Sequence, residues 1–335
     1  MELNSVALSD FTKLATVIWT KGLMSVPQYM RTSGIVKEIP VSANTGNTRE
    51  FSEIDLEEYA SYKGESDQAS RASVQQGYSK TMTSYRVAKE IGISYEMRTQ
   101  NKYPEVVTRL TSLGGLAPKR MDLDLSHRFT FITSTSYTDL DGRTISTTVG
   151  DTFQLAYTAH TLAGSATTFR NQLANNPQLS RGGLEVAEAL IVTDTYNQFG
   201  EKIVMPFDIL WTTDDPVTIN MAKEILKSTA QVDGNNSGVT NVYQGKYRHV
   251  MLPRVATTAA GAPDSTKAKY WGIVSSEYST FYLGVWEEAH LKTPAALNAG
   301  EEFSTDDWNY GVRSGYGIVA VSAPWVKFSL GDGTA

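Results

Sequence analysis

Four histidines, His127, His160, His249 and His290, are the first residues to test for chemistry. None lies three to five residues from another, so no helix or strand face offers a two-histidine metal site. Glu287-Glu288-Ala289-His290 sets carboxylates beside an imidazole and reads as a charged strand end. Asp139-x-Asp141-Gly142 begins like a calcium loop. It lacks the third acidic ligand and the late Glu, so it reads as a turn. Acid pairs stand at Glu57-Glu58, Asp214-Asp215, Glu301-Glu302 and Asp306-Asp307. Adjacent side chains diverge on either a helix or a strand, so none is a pre-set acid–base pair. Lys119-Arg120 and His127-Arg128 share one predicted helix and read as a solvated face, with phosphate contact as the alternative.

The chain has no cysteine, which removes disulfides, thiolate metal sites and Cys nucleophiles. It has no phosphate-binding loop, no dinucleotide fingerprint after a strand, no nucleophile elbow and no metalloprotease helix. Gly315-Tyr316-Gly317 reads as strand glycines. No catalytic, cofactor-binding or metal residue is assigned, and the chain is expected not to be an enzyme. A hydrolase site assembled from distant residues is the rival reading, with no residue to nominate it.

The elements that would position any site are as follows. Residues 9–21 form a short amphipathic helix with Phe11, Leu14, Ala15 and Ile18 on one face, capped by Ser9 or Asp10 and stopped by Gly22. Its Trp19 either packs in the core or docks the N-terminal arm on a neighbour. Residues 34–40 alternate as a strand, and Thr45-Gly46-Asn47 is a turn. Residues 49–56 alternate, residues 61–76 hold almost no large apolar group, and residues 78–95 alternate again, or nearly so, through Tyr85, Val87, Ile91, Ile93 and Tyr95. That pattern is two strands joined by a long polar tip, too polar to bury both faces in its own domain.

Residues 103–132 step by three and four through Val106, Leu110, Leu113, Ala117, Met121, Leu125, Phe129 and Ile132, a long helix. Gly114-Gly115 and Pro118 are expected to kink or break it. Ser180 caps a second helix from about Gly183. Residues 202–211 read as a strand, and Asp215-Pro216 opens a third helix. Residues 233–238 are a loop. Short apolar runs follow at 247–252, 270–274, 281–286 and 315–328. The class is α+β.

Composition permits a self-sufficient core: 335 residues, 41% hydrophobic and 20% charged. The net charge of −6 argues against a dedicated nucleic-acid binder, yet suits a wall around DNA that must not grip it. No apolar run is long enough to span a membrane. Met1-Glu2-Leu3-Asn4 opens no signal-peptide pattern, so a cytosolic origin is expected.

Two segments and the order of elements carry a resemblance. Residues 204–228 pair a strand with the Asp-Pro-started helix. Residues 307–319 hold Asp307-Trp308-Asn309-Tyr310-Gly311-Val312-Arg313 and then Gly315-Tyr316-Gly317-Ile318-Val319. With an arm, a polar hairpin and a long helix ahead of them, they resemble the major capsid proteins of tailed bacteriophages, the Hong Kong 97-type fold. The resemblance implies an N-terminal arm at 1–44, an extended loop at 45–98 and a peripheral domain at 99–182 with its spine helix at 103–132. It also implies an axial domain at 183–300 and closing strands at 301–335. It further implies a structural subunit that self-assembles into pentamers and hexamers around double-stranded DNA in the virion, made in the host cytoplasm. The partners implied are further copies of the chain, a separate scaffolding protein, a portal, a decoration protein and non-specific contact with packaged DNA, with no membrane and no cofactor. A bacterial nanocompartment shell of the same fold is the first alternative, and a tail or baseplate protein the second.

Overall fold

The computed structural model describes residues 8–41, 48–57, 59–100, 102–230, 240–294 and 307–333. The turn expected at 45–47, the loop at 233–238 and the acids at 58, 301, 302 and 306 lie outside the described residues. In chain order the elements are α1 (Leu8–Met24), β1 (Lys37–Pro40), β2 (Thr48–Leu56), β3 (Val74–Ile93), α2 (Tyr95–Thr99) and α3 (Tyr103–Thr130). Two small hairpins follow, β4 (Ser136–Thr138) with β5 (Thr144–Ser146), and β6 (His160–Thr161) with β7 (Thr168–Phe169). Then come α4 (Arg181–Thr193), β8 (Ile209–Thr212), α5 (Pro216–Lys227), β9 (Arg248–Met251), β10 (Trp271–Val274), β11 (Phe281–Lys292), β12 (Trp308–Ala320) and β13 (Val326–Ser329).

The glycines expected to end one helix and break another do neither. α1 runs past Gly22, and it starts at Leu8, ahead of both expected caps. α3 continues unbroken through Gly114, Gly115 and Pro118. The reason is a backbone contact between the two helices. A Cβ on Gly22 would lie 2.1 Å from the Thr111 carbonyl oxygen, and one on Gly114 would lie 2.3 Å from that of Trp19. These glycines mark a helix crossing. Trp19 is buried there, so of its two readings core packing is the one the structure holds.

α3 is 28 residues long, about 42 Å. Its first half, through Val106, Leu110, Leu113 and Ala117, packs with Phe11, Ala15, Trp19, Trp308 and Tyr310. Its second half, through Met121, Leu125 and Phe129, enters a different core with Trp211, Phe281, Trp325 and Phe328. The Phe129 ring meets Trp211 edge-on, 5.1 Å between centroids. Asp122, buried on this helix, accepts from the Met30 backbone N–H at 2.9 Å and pairs with Arg254 at 2.7 Å.

A four-stranded sheet, β13-β10-β8-β9, separates that second core from a third. The alternation of β8 sends Ile209 and Trp211 toward α3, and Leu210 toward α4 and α5. Both helices are capped as expected. Ser180 Oγ accepts from Gly183 N–H at 3.0 Å, and Asp215 Oδ2 accepts from Thr218 N–H at 3.0 Å. The strand expected at 202–211 shrinks to Ile209–Thr212, because Pro206 has no N–H to give a ladder.

A five-stranded sheet, β1-β11-β12-β3-β2, forms the other layer. β1 joins β11 in parallel, and the remaining pairs are antiparallel.

Two predictions follow from this packing. Gly→Ala at an exposed helix position stabilises by up to about 1 kcal/mol. Gly114→Ala should instead destabilise by roughly 1–3 kcal/mol, because the methyl has no space. Urea unfolding decides the sign, and a gain in stability would refute the backbone contact. The second concerns Lys327, wholly buried on β13, whose Nζ donates to the Asp194 carbonyl at 2.7 Å. Burial pulls this ammonium down to about 7, against the opposing pull of the Asp194 carboxylate. Between about 7 and the ordinary lysine value of about 10.4 the unfolded chain binds more protons, so stability rises with pH across that window. From pH 7.5 to 9.5 the wild type should gain up to about 2 kcal/mol relative to Lys327→Met. Parallel pH profiles for the two proteins would contradict this.

Candidate interaction surface

The histidines are dispersed. His127 is buried against Phe131 and Tyr137, and burial holds it down to about 4. His160 Nδ1 meets Asp151 Oδ2 at 2.7 Å inside the protein. His249 Nε2 lies 2.9 Å from Thr212 Oγ1. His290 sits 3.4 Å from Glu287, which pairs with Arg313 along the neighbouring strand. Among the described residues no group of three or more His, Asp or Glu side chains is arranged to hold a metal ion. Asp139 forms the expected turn, its Oδ1 accepting from the N–H of Asp141 and of Arg143.

Of the solvated basic face expected on α3, Lys119 is exposed, and Arg120, His127 and Arg128 are corrected. Arg120 sits among Asp124, Asp139 and Asp141, each at 2.9 Å. Asp124 also accepts from the Tyr316 hydroxyl at 2.6 Å. His127 is buried, and Arg128 donates to the backbone carbonyls of Ser146 and Ile318. A cleft of about 450 Å³ opens beside these groups, between α3, β3, β12 and the β4–β5 turn. Its arginines are largely engaged, Arg254 with Asp122 and Arg86 with Glu287 at 3.5 Å. Sequence spacing places these residues on one helix but does not carry the partners arriving from β12 and the β4–β5 turn.

The surface with the clearest unmet potential is the ribbon formed by β2 and β3. Residues 84–93 of β3 pair with β12, whereas residues 74–83 pair with β2 alone. β2 is the last strand of its sheet, so its outer edge faces no described strand. Such an edge is a template for further pairing. Beyond the ribbon, residues 59–73 form no regular element apart from turns, and Tyr59 and Tyr62 there are exposed.

The ribbon's two faces are inverted relative to an ordinary amphipathic sheet. Ile54, Leu56 and Val74 point to solvent, and Leu56 stands directly opposite Val74 in the register. The inward face is apolar near the body, where Phe51 and Met82 pack with Tyr282, Val319 and Val321, and polar farther out. The Gln198 backbone N–H donates to Asp55 Oδ2 at 2.9 Å, and its side-chain amide donates to Glu53 Oε2 at 3.0 Å. The Tyr78 hydroxyl lies 2.9 Å from Thr161 Oγ1, and Lys80 Nζ donates to Thr148 Oγ1 at 2.5 Å. A register shift opposite Glu53, at Gly77 and Tyr78, sets the alternation. The alternation of 49–56 is legible in sequence. Which face turns outward is not, because that depends on Gln198, Thr148 and Thr161, far along the chain.

No protein-family model matches the chain, and no curated protein matches it. Solved structures do. A chain of Gordonia phage Cozz is 12% identical and superposes with a TM-score of 0.50, over 91% of this chain and 89% of that one. A chain from the capsid of Myoviridae phage XM1 is 11% identical, with a TM-score of 0.46 over 90% and 91%. A chain of a virus-like particle from Pyrococcus furiosus is 10% identical, with a TM-score of 0.48 over 95% and 98%. The chain shares the Cozz fold across nine-tenths of its length, and the α+β, Hong Kong 97-type arrangement is the one it has.

Proposed function

We propose that this chain is the major shell subunit of a tailed-phage head, a structural protein that works without catalysis. Copies join into pentamers and hexamers, and these close into an icosahedral shell around double-stranded DNA. The fold shared with a phage chain supports the head over a compartment shell. The observation that carries the reading is the ribbon, an open strand edge beside an outward apolar row of Ile54, Leu56 and Val74. A monomer that kept these exposed would carry an aggregation hazard. In a shell the same row is an interface, and weak contacts repeated across a lattice sum to a stable whole.

On this reading residues 1–44 act as the arm, 45–98 as the extended loop laid across a neighbour, 99–182 as the peripheral domain, 183–300 as the axial domain and 301–335 as the closing strands. A separate scaffolding protein, a portal and a decoration protein are the partners, and the inner wall touches packaged DNA without reading it. The subunit is made in the host cytoplasm and ends in the virion. The apolar row, the edge and the dispersed histidines all fit a protein whose work is contact.

The double variant Ile54→Asp with Leu56→Asp tests this. Both side chains are exposed, so the variant should stay soluble and melt within a few degrees of the wild type. Under negative-stain electron microscopy and light scattering, with the scaffolding partner present, it should form no closed shells where the wild type does. Shells of normal size and yield from the double variant would remove the ribbon from the assembly surface.

A further inference from the structure

The polar seat beneath the ribbon has the build of a releasable contact, and it belongs to the free subunit whether or not the ribbon meets a neighbour. Gln198 is its centre. This buried residue donates through its backbone N–H to Asp55 and through its side-chain amide to Glu53, and its Oε1 accepts from Ala163 N–H at 2.9 Å. One residue therefore ties β2 to the loop that follows β6 and to the turn that follows α4. The packing is close. A Cβ on Gly77 would lie 2.9 Å from that of Glu53, and one on Gly164 would lie 2.8 Å from Gln75 Cγ.

We infer that the ribbon is held on its own subunit by a polar latch centred on Gln198, and that ionisation of Glu53 releases it. Beyond Phe51 and Met82, which pack with Tyr282, Val319 and Val321, the contacts that seat the far part of the ribbon are polar, so releasing that part uncovers groups that water satisfies, whereas an apolar seat would resist release. Three carboxylates meet here, with Glu53 near Asp55 of its own strand and Asp151 of the loop before β6. Lys80 of β3 is on the same face and His160 is bonded to Asp151, while Tyr282 of β11, stacked on Phe51 at 5.0 Å, faces the Glu53 charge. Burial pushes the Glu53 carboxyl above its ordinary range, and Asp55 and Asp151 push the same way. Hydrogen bonds from Ser322 and Gln198 oppose them.

The sign follows from linkage. A carboxyl whose value is raised when seated favours the seated state while protonated. The latch is tightest below the ordinary glutamate value of about 4.3 and loosens as pH rises through the raised one. Glu53→Gln keeps an oxygen and an amide at that position without a charge, and should hold the ribbon seated at every pH.

Amide hydrogen exchange on the full-length unassembled protein, corrected for the intrinsic pH dependence, tests this at residues 75–82. α3 amides serve as the internal report on global folding. Wild-type protection at 75–82 should fall by roughly threefold or more between pH 4.5 and pH 7.5. Glu53→Gln should stay protected across the range, and Gln198→Ala should lose protection throughout while α3 is unchanged. Asp55→Asn, which removes one charge that raises Glu53, should move the wild-type midpoint to lower pH. Identical pH profiles for wild type and Glu53→Gln would overturn the role of Glu53. Full protection in Gln198→Ala would overturn the latch.

Discussion

The rest of the molecule depends on one close contact, the crossing of α1 over α3 at Gly22 and Gly114. Two glycines inside helices each lower helix stability by about 1 kcal/mol relative to alanine. They persist here because backbone-to-backbone approach brings Phe11, Ala15 and Trp19 down onto Leu110, Leu113 and Trp308. Burial of one such large side chain is worth about 1.5–3 kcal/mol, which exceeds the helix penalty. With its first half fixed in this way, α3 continues without a break to a second core, which it reaches through Leu125 and Phe129. Pro118 is tolerated because packing on both sides of it, from Ala117 and Met121, supplies what one lost ladder hydrogen bond removes.

That rigid frame makes the inverted ribbon possible. A two-stranded ribbon is marginal in water, and it persists here because β3 continues without interruption into the body sheet beside β12. The body holds ten residue pairs of β3, and the ribbon half inherits its direction from them. Beyond Phe51 and Met82 the inward face is polar and costs little to seat or unseat, while the outward row of Ile54, Leu56 and Val74 stays in water until something covers it. Stability and interaction are divided along a single strand, the body end paired with β12, the far end beyond Met82 polar inside and apolar outside.

How much of this was legible in sequence follows the range of the forces involved. Ser180 and Asp215 were readable as caps because a cap bonds a backbone N–H only three residues away. The period of α3 was readable because one helix face repeats locally. Gly22 was misread as a stop, since its partner Thr111 lies 89 positions along the chain, and nothing near Gly22 announces a crossing. The same reason hid the fate of Arg120. Its spacing on α3 was plain, but Asp139 and Asp141 arrive from a different hairpin and turn a solvated residue into the centre of an ion cluster. The strand expected at 202–211 failed on a local fact, the missing N–H of Pro206, which apolar alternation had outweighed.

The distribution of titratable groups argues in the same direction as the ribbon. Reaction sites gather such groups so that one perturbs another toward a working pKa. Here some meet at the Glu53 seat and in the Arg120 cluster, yet several act as struts between elements. Asp122 joins α3 to the Met30 turn and to Arg254, Asp124 joins α3 to β12 through Tyr316, and Lys327 ties β13 to the end of α4. Each is buried with a partner on a different element, and losing one partner would leave an uncompensated group in a low-dielectric interior. Such struts specify which element lies against which. A body whose elements keep one arrangement sets where the ribbon begins and which way its apolar row faces. On the proposed function, that direction is the quantity the fold has to control.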